Sequence, residues 1–121
     1  MRPATTGEHV VVETNAGAVR GFWRTNSAAF LGIPFAESPY GDLRFLAPVP
    51  AISWTGVRDV LQYGPTPQRK ALAEITTIPE PSIPGDEILN LNVFTPRPRP
   101  AHGSEDLLPV LVYIHGGGYV A

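Results

Sequence analysis

Hydrophobic residues in this chain gather in five short runs, His9 to Asn15, Ala18 to Arg24, Ala28 to Ile33, Glu87 to Thr95 and Val110 to Ile114, each bounded by glycine, proline or polar turn residues. Runs of this length, rich in β-branched and aromatic residues, predict strands rather than helices. The first two are joined through Asn15-Ala16-Gly17, where asparagine and glycine tolerate the positive φ of a tight turn, so the chain is predicted to open on a β-hairpin. Ala28 to Ile33, stopped by Pro34, adds a third strand, and the three make a meander too small to be stable alone. In Glu87 to Thr95 the residues Leu89, Leu91 and Val93 alternate with Ile88, Asn90, Asn92 and Phe94, which predicts a strand with two unlike faces. Val110 to Ile114 carries no charge and predicts a strand buried on both faces in a parallel sheet. The opening hairpin is expected to form a separate small sheet, and the strand from Glu87 to cover at most one edge of the strand from Val110.

The stretches between the runs read as irregular backbone. Pro34 to Pro50 is turn-rich and predicts a surface strap held by Phe35, Leu43 and Phe45, with Trp54 and Val57 as further apolar pins. Arg44 is either a solvated side chain or a charge paired beneath the strap. Residues 64 to 87 form a long proline-rich loop around one weak helical window, Gln68 to Ile75; such a loop is either the rim of a pocket or passive surface. Alternate prolines and arginines from Pro96 to Pro100 fit a polyproline II ligand, although a solvated connection as far as Asp106 is simpler. No repeat or internal domain boundary is visible, so residues 1–121 are expected to lie within a single domain.

Candidate chemistry is concentrated where the last run ends, at His115-Gly116-Gly117-Gly118. Three glycines after a buried strand allow positive φ, let a ligand approach bare peptide and free two or three N–H groups to point at one place, which makes an anion site. The phosphate-binding patterns G-x-G-x-x-G and G-x-x-x-x-G-K-[ST] cannot be read here, because Tyr119, Val120 and Ala121 follow. Stabilisation of the oxyanion in acyl transfer fits better, and the bland alternative is a glycine-rich turn without chemistry.

Composition narrows the partners. Nine basic and eleven acidic residues leave a net charge of −2 with no block of one sign, so neither nucleic acid nor an anionic membrane is expected as partner. The 14 prolines and 12 glycines leave little room for long helices. With no cysteine there is no disulfide or thiolate metal site, which suits a reducing compartment. The N-terminus lacks the apolar core of a signal peptide and no run approaches the ~20 apolar residues of a membrane span, so a cytoplasmic, soluble product without a cofactor is expected.

Four stretches together resemble the N-terminal portion of type-B carboxylesterases, the family of bacterial para-nitrobenzyl-type esterases, animal carboxylesterases and cholinesterases. They are Phe30-Leu-Gly-Ile-Pro-Phe-Ala-Glu37 with Pro39-Tyr-Gly-Asp-Leu-Arg-Phe45; Trp54-Thr-Gly-Val-Arg-Asp59 with Tyr63-Gly64; Asp86-Glu-Ile-Leu-Asn-Leu-Asn-Val93; and Pro109-Val-Leu-Val-Tyr-Ile-His-Gly-Gly-Gly-Tyr119. The resemblance runs from Val10 onward and implies the first part of an α/β-hydrolase fold, hydrolysing small-molecule carboxylic esters through a Ser-Glu/Asp-His triad. It implies that the N–H groups of Gly117 and Gly118 donate into the oxyanion hole, with a third donor from the residue after the nucleophile, and that His115 and Gly116 shape the loop. It also implies that Arg44 pairs with Asp86, although the family reads Glu-Asp where this chain reads Asp86-Glu87.

None of the five serines, Ser27, Ser38, Ser53, Ser82 and Ser104, lies in a G-x-S-x-G elbow, so the triad is expected outside these residues and the isolated chain to be inactive. The alternative is a catalytically inactive fragment or a non-enzymatic interaction protein derived from the family. The family's first disulfide would fall near Pro67 and at Ile88, and the absence of both cysteines resembles bacterial members. Cholinesterases place a choline-binding tryptophan between those positions, whereas residues 68 to 87 hold no aromatic residue, so a quaternary ammonium substrate is not expected.

Overall fold

The computed structural model describes residues 8–71, 73, 74, 77, 79, 81–98 and 107–119. The two opening runs pair as expected: β1 (His9–Thr14) and β2 (Gly17–Trp23) form an antiparallel hairpin with Thr14 opposite Gly17 and His9 opposite Phe22. The Thr14 hydroxyl closes the turn, donating to the Gly17 carbonyl at 2.7 Å and accepting the N–H groups of Ala16 and Gly17. Gly17 takes φ of 146°, but Asn15 does not take a positive φ, so glycine alone supplies the left-handed step. Gly17 also makes room: a Cβ there would lie 2.6 Å from Nε1 of Trp54. Trp54 seals the turn by donating its backbone N–H to the Ala16 carbonyl and its indole N–H to the Ala18 carbonyl.

β3 (Ala28–Pro34) pairs with β2 only at Phe22 and Trp23. Further back along β2 a parallel strand, β4 (Val57–Asp59), takes its place, aligning Ala18 with Val57 and Arg20 with Asp59. The aligned side chains of Arg20 and Asp59 form an ion pair at 3.1 Å. Sequence patterning missed β4 because three residues with one apolar side chain carry no measurable period. Val60 then threads between two strands, its N–H donating to the Arg20 carbonyl and its carbonyl accepting the N–H of Leu31.

β5 (Asn90–Thr95) runs antiparallel to β3, giving the order β1-β2-β3-β5. It starts three residues later than the pattern suggested, and it corrects two expectations: the hairpin is part of one five-stranded sheet, and β5 covers β3 rather than the run from Val110. The β3–β5 register shifts between Phe30 and Ile33, where Gly32 has φ of 70° and donates its N–H to Oδ1 of Asn92 at 3.0 Å. Asn90 uses its side-chain amide to hold the carbonyls of Pro65 and Glu87. The asparagines that break the apolar alternation of this strand are therefore brackets for neighbouring backbone.

Alternation along β2 and β3 builds a small core on each face of the sheet. Val19, Ala28, Phe30 and Val60 are buried on one side, with Trp23, Ile33 and Trp54 packed around them, while Phe22, Ala29 and Leu31 are buried on the other with Leu61 against them. Fully burying a side chain such as Phe22 or Val60 contributes about 1.5–3 kcal/mol.

The predicted buried strand Val110 to Ile114 is not formed. These residues lie outside the sheet and are 74 to 93% exposed. A strand of this kind needs hydrogen-bonded neighbours and a covering layer on each face, and among the described residues no strand borders it and no helix covers it. The weak helical window also fails: Gln68 to Ala71, Ala73 and Glu74 are not helical, while Leu72 and Ile75 lie outside the described residues. Of the proline-arginine stretch only residues 96 to 98 are described, and Pro96 and Arg97 form a bend.

An unpaired apolar segment is a template for intermolecular strand pairing. The 121-residue chain is expected to self-associate in size-exclusion chromatography, and Val112→Lys to shift it toward smaller species. Hydrogen exchange is expected to protect the amides of Val60 and Leu31 in every species, and to leave residues 107 to 119 unprotected only in the smaller species that Val112→Lys favours. A monodisperse wild-type monomer with a cooperative thermal transition would refute this.

Candidate functional site

The glycine loop follows the exposed segment directly. Gly117 has φ of 131°, Gly118 60° and Tyr119 62°, three consecutive residues with positive φ. For tyrosine the left-handed region is uncommon and costs about 1 kcal/mol or more. An added Cβ on Gly116 or Gly118 would meet nothing within 4 Å, so packing does not demand glycine at these two positions; at Gly118 backbone conformation does. The N–H groups of Gly116, Gly117 and Gly118 have no hydrogen-bond partner among the described residues. Nδ1 of His115 lies 2.6 Å from the Gly116 carbonyl oxygen. Of the four residues singled out by sequence, His115 and Gly116 are irregular, Gly117 is a bend and Gly118 starts a turn with Tyr119, and the three glycine N–H groups are without partners among the described residues.

The strap between β3 and β4 is closed at its base. Ala36 bridges to Pro50, the Glu37 N–H donates to the Val49 carbonyl, and the Glu37 carboxylate accepts the N–H of Ile52 at 2.7 Å. Of its three expected pins only Leu43, in a 3₁₀ turn at Gly41–Leu43, is half-buried; Phe35 is exposed and Phe45 is 91% exposed. Phe45 also adopts φ of 62°.

The pairing of Arg44 with Asp86 is not formed. The Arg44 guanidinium lies 4.8 Å from the centroid of the Phe45 ring, and the acid beside Asp86 is met by a different arginine: Arg58 bonds Glu87 at 2.7 Å while lying over the Trp54 ring. The ladder between β2 and β4 decides this, because it fixes Arg58 close to the start of β5, whereas Arg44 stays in the exposed strap. A groove of about 300 Å³ lies here, lined by Pro34, Ala36, Glu37, Ile52, Trp54, Arg58 and Glu87. Of the two readings of the loop at residues 64 to 87, passive surface fits better: it folds on itself, with Thr66 bonded to Ile83 and Arg69 to the Pro81 carbonyl, and of its described residues only the last, Glu87, lines the groove. His115 to Gly118 do not line the groove. Among the described residues no group of three His, Cys, Asp or Glu could hold a metal ion, and no helix is long and apolar enough to cross a membrane.

Solved structures place this sheet. A thermophilic PNB esterase superposes on 94% of the chain with a TM-score of 0.72 and 32% identity, the match covering 23% of that esterase. The sheet described above is therefore part of an α/β-hydrolase fold of the carboxylesterase kind, in its N-terminal portion. The model of the carboxylesterase family matches residues 8–121, and the chain belongs to that family. Gut esterase 1 of Caenorhabditis elegans is 39% identical over 111 residues, covering 90% of this chain and 18% of its own length. Liver carboxylesterase 1 of Oryctolagus cuniculus is 41% identical over 99 residues, covering 75% of this chain. The chain spans 17 to 18% of the length of these two relatives.

The Arg58–Glu87 contact gives a local prediction. Replacing Arg58 by alanine is expected to speed amide exchange at Ile88 and Leu89, at the approach to β5, whereas Arg44→Ala leaves those amides unchanged. Equal effects from the two variants would mean that the Arg58 contact contributes nothing to holding this segment, as for many surface ion pairs.

Proposed function

We propose that this chain contributes the oxyanion-binding loop of a carboxylic ester hydrolase. Nucleophilic attack on an ester carbonyl puts negative charge on its oxygen, and the N–H groups of Gly117 and Gly118 are the donors that receive it, while His115 and Gly116 hold the loop. The observation that carries the reading is the pair of positive φ values at Gly117 and Gly118 in an H-G-G-G segment whose glycine N–H groups are free of other partners among the described residues. Family membership supports the reaction class. Each such donor lowers the barrier by about 2.7–4 kcal/mol, since it meets charge that develops mainly in the transition state.

The nucleophile, base and acid belong to sequence outside these 121 residues, because no serine here sits in a G-x-S-x-G elbow. The chain by itself is expected to show no burst with p-nitrophenyl acetate and no labelling by a fluorophosphonate. Either signal would overturn the assignment of the triad elsewhere.

The loop is tested in a chimaera in which residues 8 to 119 replace the matched segment of the thermophilic PNB esterase. Gly117→Ala or Gly118→Ala is expected to lower kcat by about 10²-fold with a smaller change in KM, as for interactions made mainly in the transition state. Gly118→Ala should leave amide protection of β1 to β5 unchanged, since a Cβ there meets no neighbour. Unchanged kcat in both variants would place the oxyanion donors elsewhere.

A further inference from the structure

We infer that His115 is a positioning residue that aims the Gly117 N–H by holding the opposite end of the same peptide unit. Nδ1 of His115 lies 2.6 Å from the carbonyl oxygen of Gly116. A carbonyl oxygen only accepts, so the hydrogen is on Nδ1, and in the neutral ring Nε2 is left as the acceptor. The Gly116 carbonyl and the Gly117 N–H are the two polar ends of one planar trans peptide and point in opposite directions. Fixing one fixes the other.

The loop needs such a device because its backbone does not supply one. Glycine occupies both sides of this peptide and populates positive and negative φ about equally, so the unit can turn over at little cost. Gly116 has open space where its Cβ would be, and the N–H groups of Gly116 to Gly118 meet no partner among the described residues, so among those residues no neighbour packs on Gly116 and no backbone ladder holds the plane. The imidazole of His115 is the group that does. The inference rests on Gly117 being an oxyanion donor, and it adds which tautomer and which bond give that donor its direction.

Two measurements test it. Long-range ¹⁵N–¹H NMR of the ring nitrogens in the 121-residue chain, in solution or on sedimented material, is expected to find His115 protonated at Nδ1, with His115→Phe identifying its signals. An Nε2–H tautomer would overturn the inference whatever the chain's function. In the chimaera, His115→Phe is expected to lower kcat by about tenfold with KM nearly unchanged, less than loss of a donor costs. His115→Asn, whose amide can donate from the place of Nδ1, should recover most of that loss, and His115→Gln, whose amide reaches beyond it, should not. Equal losses in all three variants would mean a merely structural histidine and sink the proposal. If Gly117→Ala lowers kcat while His115→Phe does not, the positioning role fails and the oxyanion reading survives; if Gly117→Ala has no effect, the oxyanion reading itself fails. Should the chimaera be inactive before any substitution, the tautomer decides.

Discussion

The structure depends on Val60, a buried residue bonded from both sides. Its N–H reaches the Arg20 carbonyl on β2 and its carbonyl takes the N–H of Leu31 on β3, so one peptide segment closes the gap that opens where β3 leaves β2. Left unpaired, those buried groups would each cost about 1–3 kcal/mol. Because Val60 is fixed there, β4 lies parallel to the start of β2, Trp54 lands on the hairpin turn and Arg58 is carried to Glu87. The placement of β4, Trp54 and Arg58 follows from that one insertion.

The second feature is a contrast between two apolar populations. Around β2 and β3 both faces of the sheet are covered, and Ala28 and Ala29 are wholly buried although adjacent residues point to opposite sides. The strap and the terminal segment are the reverse, with Phe45, Leu46, Ile52, Leu107 and Val110 to Ile114 largely open to solvent. The chain corresponds to about a fifth of related esterases, and a sheet that must be covered on both faces draws its layers from the whole fold. Local pairing has enough partners within this segment to form, and the terminal run does not.

The glycine loop behaves differently from both. Gly117, Gly118 and Tyr119 take positive φ and His115 contacts its neighbouring carbonyl, all within a few residues, although the segment before them pairs with nothing among the described residues.

By itself the sequence determined what depends on neighbours along the chain. The hairpin, the third strand and the strand through Leu91 and Val93 were legible because apolar periodicity and turn residues act over a few positions, and two of the three consecutive glycines, Gly117 and Gly118, do take the positive φ that glycine favours. Strand β4 was not, since its three residues are defined only by the edge that β3 leaves free on β2. The partner of the acid pair was not either: Arg44 was the nearer match by motif, but the β2–β4 register delivers Arg58 to Glu87 instead. The run from Val110 to Ile114 was read correctly as apolar and wrongly as a formed strand. Hydrophobicity is a property of residues, whereas burial is a property of what lies beside them, and only the tertiary structure decides that.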